Sequence, residues 1–191
     1  MNNTREKIRE IEKSISSQKK ELAALRQQVE PEEIQNYNFL DWDGNQTSLR
    51  DCFDDKQELI LVYNMGKSCK YCTLWGDNFN GIVKPLNDKS AFVVVSPDAP
   101  EIQYEFANSR NWKFKMLSHK GSSFIKDMKM VHGEKDSPMP GVSSFVLKDD
   151  KIYHYNQSFF GPGDNYCNMW DFIDLLPSGV GGWSPKYEYE S

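Results

Sequence analysis

Leu59-Ile60-Leu61-Val62-Tyr63-Asn64-Met65-Gly66-Lys67-Ser68-Cys69-Lys70-Tyr71-Cys72 is the stretch on which the fold turns. Its first five residues form a continuous apolar run, the mark of a strand buried on both faces. Five residues later two cysteines stand three apart, followed by Thr73-Leu74-Trp75-Gly76-Asp77-Asn78-Phe79, which keeps a helical period. A buried strand, a short loop and a helix that opens on a Cys-x-x-Cys pair predict the first half of a β-α-β unit with sulfur chemistry at its turn.

Outward from that stretch the pattern repeats. A helix is expected from about Cys69 to Phe79 and a second from Ile82 to Asn87. Ala91-Phe92-Val93-Val94-Val95 reads as a second doubly buried strand, and Pro100 opens a helix reaching about Asn111. Lys113–Leu117 reads as a short edge strand and Ser122–Val131 as helix or turn. Ser143–Lys148 and Lys151–Gln157 form a hairpin across Asp149-Asp150, and a last helix runs from about Asn168 to Leu176. Upstream, Asn38–Trp42 is a strand entering a turn at Asp43-Gly44-Asn45, and Ser48–Phe53 is a short helix or turn. The order β-α-β, then hairpin, then helix, is that of thioredoxin: an α/β fold with a central mixed sheet flanked by helices.

Before this body, Thr4–Val29 reads as a helix. Ile8, Ile11, Ile15, Leu22, Leu25 and Val29 occupy a and d positions of a heptad, with Gln18 at the remaining d. Pro31 ends it. The seam is narrower than the stripe of a helix packed on a globular core, and the flanking positions hold mainly Glu, Lys, Arg, Ser and Gln. The expectation is an N-terminal helical arm over 1–30 that makes a homodimer. A thioredoxin-like domain follows over 31–179, then a Gly-, Pro- and Tyr-rich tail over 180–191.

The chain has 191 residues, with 23 Lys and Arg against 28 Asp and Glu, a net charge of −5. That balance argues against the basic stripe of a nucleic-acid binder and the polybasic patch of a membrane-surface protein. The longest apolar runs have five residues, against the roughly 18 that a membrane span needs. The charged N-terminus lacks the apolar core of a secretory signal. Four cysteines, of which Cys52 and Cys167 stand apart, make no disulfide framework. The expected location is the cytoplasm.

The chemistry rests on Cys69 and Cys72. Ser68 is the expected N-cap, which puts Cys69 in the first turn, where free N–H groups and the helix dipole favour an anion. Lys67 and Lys70 add positive charge. Each effect lowers the Cys69 pKa below the free value of about 8.5. Cys72, one turn further in, serves as the resolving thiol. Two other readings compete: half-buried cysteines kept as small hydrophobes, and a zinc site. Zinc needs about four ligands, and Cys52, Cys167, His119, His132 and His154 have no ligand spacing. No metal or cofactor is expected. The three histidines read as surface or satisfied groups, Trp75 and Phe79 as core. Asp77 is a possible proton acceptor near the thiols, though an exposed helix carboxylate is the commoner case.

The block Cys69–Gly81, C-x-x-C-x-x-W-x-D-x-F-x-G, carries a resemblance. With Leu59–Met65, Ala91–Ser96, Trp112-Lys113-Phe114, Tyr37-Asn38-Phe39 and the Asp174–Gly179 ending, the sequence resembles the bacterial thioredoxin-like family catalogued as domain of unknown function 899. The resemblance covers about residues 5–179. It implies a thioredoxin fold and a redox site at Cys69 and Cys72, and no established substrate. Ordinary thioredoxins carry Trp before the first cysteine, where Ser68 stands here, and Gly-Pro between the cysteines, where Lys70-Tyr71 stands. Their cis-proline position falls at Val142, just after Pro140-Gly141, in the segment expected to face the dithiol. These departures argue against a general disulfide reductase. Peroxiredoxins carry Thr three residues before the nucleophile, where Gly66 stands here. The leading expectation is a thiol–disulfide oxidoreductase acting on a narrow protein or small-molecule disulfide. A non-catalytic thioredoxin-fold binding module and a thiol peroxidase are the alternatives.

Overall fold

The computed structural model describes residues 2–189. Met1 of the expected arm and the last two residues of the expected tail lie outside them. The elements run α1 (Asn2–Arg26), β1 (Glu32–Ile34), β2 (Asn38–Leu40), β3 (Gln46–Ser48), a 3-10 turn (Arg50–Phe53), β4 (Glu58–Tyr63), α2 (Lys70–Lys89) and β5 (Ala91–Ser96). Then come α3 (Pro100–Ser109), β6 (Lys115–Ser118), α4 (Phe124–Asp127), β7 (Val131–His132), β8 (Ser137–Pro138), β9 (Gly141–Lys148), β10 (Lys151–Phe159) and α5 (Met169–Asp174).

Eight strands make one sheet in the order β1-β10-β9-β4-β5-β6-β2-β3, and β7 and β8 pair separately. β4, β5 and β6 are parallel, and the strands outside them are antiparallel. Side chains alternate across the sheet. Leu59, Leu61 and Tyr63 enter one core with Phe53, Phe124 and Phe145. Val62, Phe92 and Val94 enter another with Trp75, Phe79, Trp112 and Trp170. Two cores on one sheet explain the unbroken apolar runs in β4 and β5, since both faces of each strand are covered. This is the thioredoxin-like fold, mixed sheet between helices, with the N-terminal helix preceding it.

The β9–β10 hairpin turns at Asp149 and Asp150, whose φ angles are 50° and 64°. Two successive left-handed residues match the right-handed twist of the strands, and Asp tolerates that region better than most side chains. A bulge between His154 and Asn156 interrupts the pairing.

Three expectations about elements need correction. The two helices expected over 69–79 and 82–87 are one helix, α2, continuous through Pro85. Asn80-Gly81 looks like a breaker in sequence, but the Asn80 amide ties the helix to the next crossover. Its Nδ2 donates to the Asn111 carbonyl at 3.0 Å and its Oδ1 accepts from Lys113 N–H at 2.8 Å. Buried Phe79 and Val83 carry the apolar face across the junction. Next, β6 is not an edge strand. The β2–β3 hairpin joins beyond it through the Leu40–Ser118 pair. Third, α1 stops at Arg26, so Val29 lies past its end. α1 meets the body at its C-terminal end, where its Arg26 carbonyl accepts from Asn156 Nδ2 at 3.2 Å.

Beyond α5 the described residues form no regular elements but are held. The Trp183 ring meets Trp170 edge-on, with centroids 5.9 Å apart.

Candidate active site

β4 delivers the chain to the C-terminal edge of the parallel strands. Asn64 N–H extends the ladder to the Val95 carbonyl at 2.9 Å. The chain then turns sharply at Gly66, whose φ is +98°. Asn64 Oδ1 accepts from Gly66 N–H at 2.7 Å, and Asp98 Oδ2 accepts from Lys67 N–H at 2.7 Å. Asp98 follows β5, and its carbonyl accepts from Ser118 Oγ at 2.6 Å. The loop before the cysteines is thus braced from two neighbouring strands.

Cys69 is itself the N-cap of α2, which corrects the assignment of that role to Ser68. Its Sγ accepts from Cys72 N–H at 3.0 Å, and its carbonyl accepts from Thr73 N–H at 3.0 Å and Thr73 Oγ1 at 3.1 Å. A sulfur at the cap meets the free N–H groups of the first turn directly, without an intervening hydroxyl. Ser68 is exposed and contributes its carbonyl, which accepts from the Tyr187 hydroxyl at 2.5 Å.

The two thiols differ sharply. Cys69 is half-buried and its pKa falls to about 7: the Cys72 thiol donates to it, and the Cys72 and Tyr71 N–H groups add to the effect against the cost of burial. Cys72 is buried, and the Cys69 sulfur beside it together with that burial pushes its thiol far upward. The Cys72 sulfur accepts from Met65 N–H at 3.5 Å. The low Cys69 value therefore comes from hydrogen bonds. Lys67 and Lys70 are exposed and are not among its causes, a correction to the role expected of their charge. Burial pushes Cys52 up to about 12 and raises Cys167 as well.

The segment expected to face the dithiol runs beside the end of β4. Gly141 pairs with Tyr63 and Val142 with Val62. Val142 packs against the same core as Cys69 and Cys72. The Pro140 carbonyl accepts from Phe160 N–H at 2.9 Å. No cis peptide bond occurs among the described residues. A Cβ at Gly141 would lie 2.5 Å from the Ser158 carbonyl oxygen, so glycine permits the close approach of β9 and β10 there.

Tyr71, between the cysteines, stacks on Trp170 with centroids 6.1 Å apart and packs beside Trp75. Trp183 of the tail extends this row. Asp77 is no proton acceptor for the thiols. It accepts from Arg110 Nε at 2.9 Å and from Trp112 Nε1 at 2.8 Å, and it pairs with a second Arg110 nitrogen. Arg110 Nη1 in turn donates to the Tyr187 carbonyl at 2.7 Å. The sequence reading missed Asp98, Arg110, Trp183 and Tyr187. Their roles come from long-range packing, and only the unusual density of aromatics in the tail hinted at it.

His119 is buried and His154 part-buried, and burial lowers the pKa of both. His154 Nε2 lies 3.1 Å from Ser143 Oγ. Among the described residues no three His, Cys, Asp or Glu side chains gather into a metal site, and no helix is long and apolar enough to cross a membrane.

A parallel β-α-β core, a Cys-x-x-Cys pair capping its first helix and an antiparallel hairpin beside that cap define a thioredoxin-like protein. The chain belongs to the family described as bacterial protein of unknown function (DUF899), whose model matches residues 2–189. Solved structures share the fold at low identity. The peroxidoxin BcpB from Mycobacterium tuberculosis is 20% identical, with 65% of this chain and 82% of that one covered and a TM-score of 0.52. A peroxiredoxin-like protein from Aquifex aeolicus is 15% identical over 69% of this chain and 75% of that one, with a TM-score of 0.55. A SCO1/SenC family lipoprotein from Bacillus anthracis is 16% identical over 73% and 93%, with a TM-score of 0.50. No curated protein matches the chain by sequence.

Proposed function

We propose that the protein is a thiol–disulfide oxidoreductase in which Cys69 is the nucleophile and Cys72 the resolving thiol. One observation carries the reading: Cys69 caps α2 with its sulfur and has a pKa near 7, while Cys72, three residues on, stays protonated. A pKa near ambient pH is close to the optimum for a thiol that attacks a disulfide.

The Cys69 thiolate attacks one sulfur of the substrate disulfide. A Cys69–substrate disulfide forms, the substrate S–S bond breaks, and the other substrate sulfur leaves as thiolate. Cys69 then carries no charge, so the main source of the raised Cys72 pKa disappears. Cys72 loses its proton to the leaving thiolate and attacks Cys69. The Cys69–Cys72 disulfide forms and the second substrate sulfur departs as thiolate. Two electrons pass from the dithiol to the substrate, and no cofactor takes part. The substrate is a protein or small-molecule disulfide, and the compartment is the reducing cytoplasm.

Gly66 argues against the peroxidase alternative, because a threonine hydroxyl is absent from the position peroxiredoxins use. The reading is tested by redox titration of the protein against glutathione, read by mass. A reversible loss of two hydrogens confined to the Cys69–Cys72 peptide is expected. A pair that remains reduced across the titration supports the binding-module alternative instead. Rapid turnover of hydrogen peroxide with conversion of Cys69 to a sulfenic acid favours the peroxidase.

A further inference from the structure

We infer that α1 is one strand of a parallel two-stranded coiled coil whose other strand is the α1 of a second copy of this chain. The helix is 25 residues long, yet Ile8, Ile11, Ile15, Leu22 and Leu25 are 43–59% exposed. Its body contacts sit at the C-terminal end, through the Arg26 carbonyl and through Arg26 Nη2, which donates to Tyr166 Oη at 3.4 Å. A helix in water without tertiary cover is marginal, because packing of the apolar face supplies most helical stability. The chain's own domain does not cover this seam, so the cover must come from outside.

The charges beside the seam identify the occupant. With Ile8, Ile15 and Leu22 at a, the e positions are Glu12, Lys19 and Arg26, and the g positions are Lys7, Ser14 and Glu21. In a parallel pair each g residue meets the e residue five positions on in the other strand. Lys7 then faces Glu12 of the second copy, and Glu21 faces Arg26. By symmetry each contact occurs twice. The remaining contact, Ser14 with Lys19, holds no like charges. An antiparallel pair with a and d in common layers would set Glu12 beside Lys19 but also Arg5 beside Arg26, a like-charge contact the parallel pair avoids.

The polar core position agrees. Between Ile8 and Leu25, Gln18 is the one a or d residue that is not apolar, and its amide donates within its own helix, to Ser14 Oγ at 3.2 Å. A parallel pair in register sets Gln18 against Gln18 of the second copy, where two amides can bond to each other. The antiparallel arrangement sets it against Ile15, which offers the amide no partner across the interface. Paired polar residues at one core layer fix register and orientation in this way. The seam holds no aromatic residue, and both signs of charge line it, which suits a protein strand better than an anionic membrane surface.

Sedimentation equilibrium of the full chain at micromolar concentration tests the proposal. Twice the chain mass of 22.2 kDa is expected. The double variant Ile15→Asp, Leu22→Asp alters exposed side chains, and is expected to be monomeric with an unchanged Cys69 alkylation rate. Two charge variants test the orientation. Glu12→Lys with Glu21→Lys makes the flanks basic, and Lys7→Glu with Arg26→Glu makes them acidic. Each is expected to self-associate about tenfold or more weakly, and an equal mixture to recover the dimer. A monomeric wild type overturns the proposal, whether or not it binds anionic vesicles. So does a dimer indifferent to the seam variant. A mixture that fails to recover the dimer overturns the parallel arrangement.

Discussion

Tyr187 donates its hydroxyl to the carbonyl of Ser68 at 2.5 Å, joining residues 119 positions apart in the chain. The bond lies one residue before the proposed nucleophile. With the Arg110 contact to the Tyr187 carbonyl and the Trp183–Trp170 contact, it holds the tail across the start of α2.

Tyr187→Phe removes this bond and keeps the ring. One hydrogen bond is worth about 0.5–1.5 kcal/mol net, or about 2- to 12-fold in an equilibrium. Alkylation of Cys69 by a neutral reagent is expected to accelerate within that range, with the unfolding midpoint nearly unchanged. An unaltered rate would show that the tail does not restrict access to the sulfur.

The hydrogen bond from the Cys72 thiol is the largest cause of the low Cys69 pKa. Cys72→Ala is therefore expected to move the Cys69 titration upward from about 7 toward its ordinary value of 9.0, with the Tyr71 and Cys72 backbone N–H groups holding it partly down. Thiolate absorbance against pH reads this directly. The linkage has a definite sign. A group whose folded pKa is depressed favours the folded state above its unfolded pKa, and that contribution is lost as pH falls through the folded value. Relative to Cys69→Ser, the reduced wild type should gain stability as pH rises from about 7 to about 9. A difference that shrinks over this interval would contradict the assigned thiolate.

Gly76→Ala sets two effects against each other. Alanine improves helix propensity by about 1 kcal/mol. Its Cβ, however, would lie 2.5 Å from Trp112 Cζ2. Overpacking costs about 1–3 kcal/mol. Trp112 cannot readily swing aside, since Asp77 accepts its Nε1 proton at 2.8 Å. Overpacking should win, and the urea midpoint should fall. A midpoint that rises would mean the indole yields more cheaply than this bond implies.

The fold was legible wherever the signal was local. Apolar runs gave β4 and β5, the Asp149-Asp150 pair gave the last hairpin, and cysteine spacing at a strand–helix junction located the candidate site. The misreadings share one physical origin. Asn80-Gly81 marks a break until Asn111 and Lys113 are brought beside it. Lys113–Leu117 has the length of an edge strand until β2 arrives from more than 70 residues upstream. Lysines beside a thiol suggest Coulomb stabilisation, whereas the Cys72 thiol and the backbone N–H groups lower the Cys69 pKa through a geometry that composition does not show. The Asp98 brace and the Tyr187 latch depend on partners 31 and 119 positions away.

Gly66 and Asp98 constrain each other across the loop before the cysteines. A threonine at 66 would need a β-branched residue at φ +98°, with its Cβ 2.9 Å from Asp98 Oδ1. Removing Asp98 first would deprive Lys67 N–H of its acceptor. Either single substitution disturbs the loop before the cysteines, so the effects of the two on stability are expected to be non-additive.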